Sequence, residues 1–188
     1  LDCGMLDAQA RLVHLIERAA LMEGAQPSPI AGVYCIKVSE PQKFQKRPWR
    51  ASICISVQGT KEIVVDGQMF RARGLHYVVT PMDLPVSSRA THNSAHKPLL
   101  ALKLDFDAHA LREVASQLPE VSTEAHETRA IFIGKATERM VDAAIRLCEL
   151  FATPDDATVL APLVIRELMF HILKSPDGPA IRQHLRAG

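Results

Sequence analysis

The sequence lacks a long hydrophobic run, a clear excess of charge and any abundance of aromatic residues. No segment reaches the roughly 18 consecutive apolar residues of a membrane-spanning helix, and no signal peptide is visible, so we expect a cytoplasmic protein with no membrane partner. The 22 basic and 21 acidic residues leave a net charge of +1. Domains whose main task is to grip DNA usually carry a basic excess. The one dense basic patch, from Lys43 to Arg50, is more typical of a solvated loop.

Cysteine is also scarce, and its spacing suggests no pairing. The four cysteines, Cys3, Cys35, Cys54 and Cys148, lie far apart without a C-x-x-C motif. In the absence of a secretory signal we expect reduced thiols. A thiol that senses electrophiles or oxidants needs thiolate character, and Cys54 or Cys35 remains an alternative for that role.

Motifs for metal binding and catalysis are missing. Metal-dependent cupin barrels carry an H-x-H pair, because two histidines two residues apart on a strand share a face and can chelate one ion. Here His76 stands alone, and His92 and His96 are four apart in a segment that resembles a strand followed by a turn. No G-x-S-x-G motif and no glycine-rich loop before a helix occurs. We predict no metal, no cofactor, no catalytic residue and no enzymatic activity.

What the sequence does contain is a series of short β-strands. The stretch ICISVQGTKEIVVDGQMFRARGLHYVVTP, residues 53–81, places glycines at 59, 67 and 74 between alternating or β-branched segments. Asp66-Gly67 is a strong hairpin signal, because both central positions of a type I′ turn require positive φ. Between residues 33 and 106 we predict seven or eight strands, with the turn spacing of a sandwich or barrel. The proline-containing segments AQPSPIAG and EPQKFQKRPWR are predicted to be connections.

Helical periodicity precedes and follows these strands. Apolar residues recur at helical spacing in residues 6–24, and again in segments that include 137–151 and 158–173. The pattern predicts an α+β fold: an N-terminal helix over residues 1–25, an antiparallel β-barrel over 26–106 and a helical subdomain over 107–188. A short strand-like segment at 130–133 lies within the helical part.

An ordered series of motifs resembles the N-terminal, effector-binding region of AraC-type transcriptional regulators. One subgroup of that family carries a strand ending in Q-G, a basic hairpin, G-x-x-Y and then D-L-P-V. The matching residues here are Gln58-Gly59, Lys61, Gly74 with Tyr77, and Asp83-Leu84-Pro85-Val86. The resemblance continues through PLLALKLDFDAHAL and TPDDATVLAPLVIRELMFHILKSPDG, and it covers the chain from about residue 29 to 188.

This resemblance implies a cupin-like barrel with helices that often mediate dimerisation, followed by a C-terminal domain with two helix-turn-helix motifs. The chain ends at Gly188, where that domain would begin, and the 14 residues after Lys174 are too few for such a motif. We therefore expect DNA contact only through the absent C-terminal domain. A homodimer through helix 137–151 or helix 158–173 is an alternative to the use of those helices as a cover for the barrel.

Strand parity selects the candidate ligand-binding residues. Side chains two apart on a strand share a face, so one cavity wall would carry Cys54, Ser56 and Gln58 and another His76, Val78 and Thr80. Trp49 would lie at the mouth. These choices invert if the register is wrong by one residue.

A second polar pattern occurs in the last strand, where Lys103 and Asp105 alternate with apolar residues. We interpret this face as a solvent-exposed edge, with a buried polar group that meets a ligand as the alternative.

The resulting hypothesis is an effector-sensing domain of an AraC-type transcription regulator that binds a small molecule in the barrel. The alternative is a small metal-dependent cupin enzyme, an isomerase or dioxygenase, which would need three or more convergent metal ligands.

Overall fold

A computed structural model describes residues 3–120 and 129–187 and has the α+β class expected from the sequence. The helices are α1 (Cys3–Ala19), α2 (Ala108–Ser116), α3 (Glu138–Glu149), α4 (Pro154–Leu173) and α5 (Gly178–Ala187), with a short 3-10 helix at Leu150–Ala152. The strands are β1 (Gly24–Pro27), β2 (Val33–Val38), β3 (Gln45–Trp49), β4 (Ser52–Gln58), β5 (Thr60–Val65), β6 (Gln68–Arg73), β7 (His76–Thr80), β8 (Leu84–Thr91), β9 (Leu99–Asp105) and β10 (Phe132–Lys135). No helix in these ranges is long and apolar enough to cross a membrane.

The strands form two antiparallel sheets that face each other. The larger sheet has the order β1-β2-β9-β4-β7-β10 and the smaller sheet the order β3-β8-β5-β6. Eight strands, β2 to β9, fall within residues 33–106, and all of them except β3 were predicted from the glycine spacing and the alternation of residues. Gly59 has a φ of +89°, a conformation that residues with a side chain rarely adopt. A β-carbon at this position would lie only 2.7 Å from the Leu99 Cα and would overlap the Leu99 backbone. The turn from β4 to β5 therefore requires glycine.

The larger sheet is buried on both faces, and the pleat of its strands divides the apolar residues between two cores. Ile53, Ile55 and Tyr77 belong to a core shared with the helices, whereas Cys54 and Val78 belong to a core shared with the smaller sheet. Successive side chains of a strand point to opposite faces, so this division fixes the register of β4 and β7. The Cys54 face therefore points between the two sheets.

Two segments predicted to be connections are edge strands instead. Gln45–Trp49 pairs with β8, and Pro48 lies directly opposite Pro85. Gly24–Pro27 pairs with β2 at the edge of the larger sheet. Proline cannot donate a ladder hydrogen bond, but an edge strand tolerates it on its outer side. The sequence prediction was wrong here because proline was taken as a break.

Segments on both sides of the predicted barrel pack onto its strands. The strand-like piece near 130–133 forms β10, which pairs with β7 so that Gly134 lies opposite Tyr77. At the other end of the chain, α1 packs on α3 and on β9. The division at residues 25 and 106 into three units stays a prediction.

Tyr77 connects β7 to the helices that close the fold. Its hydroxyl donates to Asp177 Oδ2 at 2.6 Å and lies 3.2 Å from Ser175 Oγ, in the turn before α5. Burial, followed by the bonded Asp177 carboxylate, raises the pKa of Tyr77 to about 12. A β-carbon on Gly134 would overlap the Tyr77 ring and hydroxyl. Glycine on β10 therefore makes room for this ring.

We expect Gly134→Ala to destabilise the fold by roughly 1–3 kcal/mol, because overpacking forces a buried ring or its backbone to shift. Urea unfolding would measure the loss. Gly4→Ala is the matched control, since open space surrounds that position in α1 and alanine favours a helix. Equal stability of the Gly134→Ala variant and the wild type would contradict the close approach of the Tyr77 ring.

Candidate functional site

A cavity of about 280 Å³ lies between the two sheets. Strands β1, β2, β4, β7 and β9 form its wall on the larger sheet, and β3, β5 and β8 form its wall on the smaller one. Apolar side chains such as Ile36, Val38 and Leu99 make up part of the lining, and cationic side chains make up another part. Small-molecule sites in proteins combine these features: mostly apolar walls with a few placed polar groups.

Lys61 is the most unusual residue of this lining. It projects from β5 on the same face as the buried Ile63 and Val65, and its Nζ lies 4.5 Å from the centroid of the Trp49 ring. Desolvation lowers the pKa of Lys61, and the charges of Lys103 and Arg47 lower it further. Within the described residues Lys61 makes no ion pair with a carboxylate. Cation–π attraction to the ring of Trp49 replaces only part of the stabilisation that a carboxylate partner would give to the ammonium group.

Lys103 approaches the cavity from the opposite sheet. It occupies the row of the larger sheet that runs from Tyr34 through Lys103 and Cys54 to Val78. Its Nζ lies 2.6 Å from Asp105 Oδ1, and both side chains are largely removed from solvent, with 22% and 16% exposed. The interpretation of this face as a solvent-exposed edge was wrong, because β9 is an interior strand between β2 and β4.

The nearby carboxylates are already engaged. Asp105 pairs with Lys103. Glu62 points to the other face of β5, where it accepts hydrogen bonds from Arg71 and Arg89. These two bonds lower the pKa of the Glu62 carboxyl. The cavity therefore carries a surplus of positive charge on Lys61 and Arg47.

Three of the predicted ligand-binding residues line this cavity. Trp49, Cys54 and Val78 all contribute to its wall, and Trp49 is half-buried between Lys61 and the exterior. The structure thus brings these three side chains together with the two lysines. Their role in ligand binding stays a prediction.

Three other predicted residues lie near the cavity but do not line it. Thr80 donates to the Arg50 carbonyl at 3.0 Å and shares a hydrogen bond with Ser52. Ser56 and His76 lie directly opposite each other on β4 and β7. Ser56 Oγ and His76 Nδ1 are buried and have no hydrogen-bond partner within the described part of the chain. Buried polar atoms are usually bonded, so this pair is an atypical feature of the inter-sheet core.

Gln58 lies elsewhere, because the ladder between β4 and β9 shifts register between Ser56 and Gln58. Such a bulge re-aims the following side chain. Gln58 donates to the Pro98 carbonyl at 2.9 Å and lines a second, more open cavity of about 720 Å³ between α1 and the ends of the strands. Arg73 and Lys97 also line that cavity. We favour the inter-sheet cavity as the functional site because two partly buried lysines, Lys61 and Lys103, line it together with Trp49.

The buried thiols lack the character of reactive sensors. Burial raises the pKa of Cys35 to about 11 and also raises that of Cys54, although the charges of Lys61 and Lys103 act in the opposite direction on Cys54. Both groups are therefore protonated at neutral pH, and a thiol reacts mainly as its thiolate. These shifts disfavour the covalent thiol sensor.

The metal-dependent alternative would need three convergent ligands. Across residues 3–120 and 129–187, no three His, Cys, Asp or Glu side chains lie close enough together to hold one ion.

Lys61 was not among the predicted cavity residues, although the sequence around it indicates its direction. Lys61, Ile63 and Val65 share one face of β5, because side chains two residues apart on a strand point the same way. The apolar Ile63 and Val65 indicate that this face points inward. The lysine on the same face is therefore expected to point inward as well.

A partly apolar cavity between two packed antiparallel sheets is the kind of concave space in which proteins bind small molecules. A family model, described as the N-terminus of AraC-type transcriptional regulators, matches residues 29–180. The chain therefore belongs to the AraC-type transcriptional regulators through their N-terminal domain, as the motifs indicated. Among curated proteins, none matches the sequence.

Two solved structures share the fold. One is apo ToxT from Vibrio cholerae carrying a lysine-to-alanine substitution, with 9% identity, a TM-score of 0.53 and coverage of 85% of this chain and 59% of that one. The other is wild-type ToxT from Vibrio cholerae with an unsaturated fatty acid bound, with 11% identity, a TM-score of 0.52 and coverage of 85% and 58%. At this identity the likeness shows the fold alone. The chain spans less than three fifths of the length of these proteins.

We expect Lys61→Met to leave the ligand-free protein as stable as the wild type or to stabilise it. Methionine replaces a desolvated charge by an apolar side chain of similar length, which is often neutral or favourable. Urea unfolding would measure the difference, with Lys46→Met on the exposed side of β3 as the control, expected within about 0.5 kcal/mol. A loss of more than about 1 kcal/mol in Lys61→Met alone would show that Lys61 has a stabilising partner and would contradict its description as an uncompensated charge.

Proposed function

We propose that this chain is the effector-sensing part of a cytoplasmic transcription regulator. A small molecule binds in the cavity between the sheets and controls a DNA-binding domain outside this chain. The main support for the proposal is the cavity itself, which has basic side chains among apolar walls and has Trp49 beside the half-buried Lys61. Membership of the AraC-type family and the fatty acid bound to ToxT, a protein of the same fold, support it.

The strand that lines the cavity also holds the C-terminal helices, which supports a regulatory role. Val78 faces the cavity, and its neighbour Tyr77 faces the helices and donates to Asp177 in the turn before α5. A ligand changes a protein's conformation only through its different affinity for two states. A ligand that favours one position of β7 therefore also favours one position of that turn.

A cavity-filling substitution tests the proposal. We expect Val78→Trp to abolish stabilisation by small molecules, because the indole occupies the ligand volume. The measurement is the thermal unfolding midpoint with a panel of small carboxylates, sugars and amines, since a bound ligand raises the midpoint by mass action. At least one compound should raise the midpoint of the wild type and not that of Val78→Trp.

Met69→Trp provides the control, because Met69 is 57% exposed on β6 and does not line the cavity. This variant should respond like the wild type. A panel in which no compound shifts the wild type, or in which Val78→Trp responds equally, would rule out sensing in this cavity.

We also propose that the chain dimerises through α4 rather than α3. The apolar residues of α3 are buried within the chain, between α1 and α4. In contrast, α4 leaves Val159, Leu160, Leu163 and Phe170 exposed by 67%, 44%, 59% and 39%. Exposed apolar side chains grouped on one element mark an interaction surface more often than scattered ones do.

We expect Leu163→Glu to convert a dimer into a monomer, because two carboxylates would face each other across a symmetric interface. Sedimentation velocity of the purified protein measures this directly. Leu21→Glu is the control, since Leu21 is 83% exposed but lies after α1, away from this face. A monomeric wild type, or a Leu163→Glu variant that remains dimeric, would disprove the interface.

A further inference from the structure

We infer that the cavity between the sheets recognises a small carboxylate-bearing molecule with an apolar body, and that Lys61 and Lys103 hold its carboxylate. This inference rests on the proposed function and specifies the chemical class of the effector. The two lysines enter from opposite sheets, Lys61 from β5 and Lys103 from β9, and both line the same cavity.

The charge balance of the cavity selects the sign of the ligand. Lys61 has no carboxylate partner among the described residues, while Asp105 and Glu62 are committed to Lys103 and to two arginines. A neutral ligand would displace water from the Lys61 ammonium without replacing its charge, which is costly. A cationic ligand would be repelled. An anion compensates the lysine in a site where bulk water no longer does so.

The walls and the volume limit the rest of the ligand. Ile36, Val38 and Leu99 offer an apolar surface, and the indole of Trp49 covers one side. A molecule in liquid packing takes about 30 Å³ for each water-sized group, so a cavity of about 280 Å³ holds roughly nine or ten non-hydrogen atoms. A medium-chain or small aromatic acid fits this volume.

The cavity carries its own reporter, because Trp49 is the only tryptophan of the chain. Three probes of equal chain length separate the contributions of charge and apolar surface: octanoate, 1-octanol and octylammonium, each of which has no more than about ten non-hydrogen atoms and so fits the cavity volume. Titration of the domain with each probe is followed by Trp49 fluorescence. We expect octanoate to bind at least about tenfold more tightly than octanol, the effect of one charge-assisted hydrogen bond, and the cation to bind most weakly.

Substitutions assign this preference to the lysines. Lys61→Met should weaken octanoate binding by about tenfold or more, because the contact with the carboxylate is lost. The same substitution should leave octanol binding unchanged or make it tighter, because a neutral ligand no longer displaces water from an ammonium group. Lys103→Met should weaken octanoate binding at least as much, because it also leaves the Asp105 carboxylate without its partner. Lys46→Met is the matched control, since Lys46 lies on β3 beside the cavity-lining Arg47 without lining the cavity. Its affinity for all three probes should equal that of the wild type.

Octanol binding as tightly as octanoate, or unchanged octanoate affinity in Lys61→Met, would overturn the carboxylate assignment and leave the cavity as a sensor of neutral molecules. No response of Trp49 to octanoate would overturn it as well. The panel with Val78→Trp decides separately whether any small molecule binds, so failure of the anion assignment and failure of the sensor function give different results.

Discussion

The whole arrangement depends on the larger sheet being buried on both of its faces. In a strand in the middle of such a sheet, one set of alternate residues packs against the helices and the other set packs against the opposing sheet. In β4 the first set includes Ile53 and Ile55, and the second includes Cys54. A slip by one residue would exchange the two sets, so that isoleucines would enter the cavity and polar side chains would meet the helices. Register and ligand site are therefore fixed by the same constraint.

The two faces of the smaller sheet differ in whether their charged side chains have partners of opposite charge. On the outer face of β5, Glu62 is held by two arginines from the adjacent strands β6 and β8. On the inner face, one residue earlier, Lys61 meets an indole ring and further cations. Proteins depart from full polar compensation mainly at functional sites. The contrast between adjacent residues on one strand is the basis for placing function on the inner face.

Much of this fold could be predicted from the sequence, because its strongest signals are local. Glycine spacing and alternation indicated seven of the eight strands from 33 to 106, and parity placed Cys54 and Val78 in the wall of one cavity. The edge strands β1 and β3 were missed because their prolines resemble breaks when the partner strand is unknown. Local patterns do not indicate which helix or sheet covers each face of the larger sheet.

The same limitation explains the errors at the site. Alternation showed that Lys103 and Asp105 share a face of β9, but whether that face meets water depends on the second sheet, which arises from distant pairings. Gln58 was misplaced by a bulge that exists only in the pairing of β4 with β9. The inward direction of Lys61 followed from its parity with Ile63, and it was overlooked because most lysine side chains lie at the surface, whereas this one is half-buried.

A crystal structure of this domain grown with octanoate tests the lysine site most directly. The expected result is electron density for the ligand between the two sheets, with its carboxylate within hydrogen-bond distance of Lys61 Nζ and its chain against the indole of Trp49. Ligand density confined to the open cavity beside α1, or a carboxylate directed away from both Lys61 and Lys103, would contradict it.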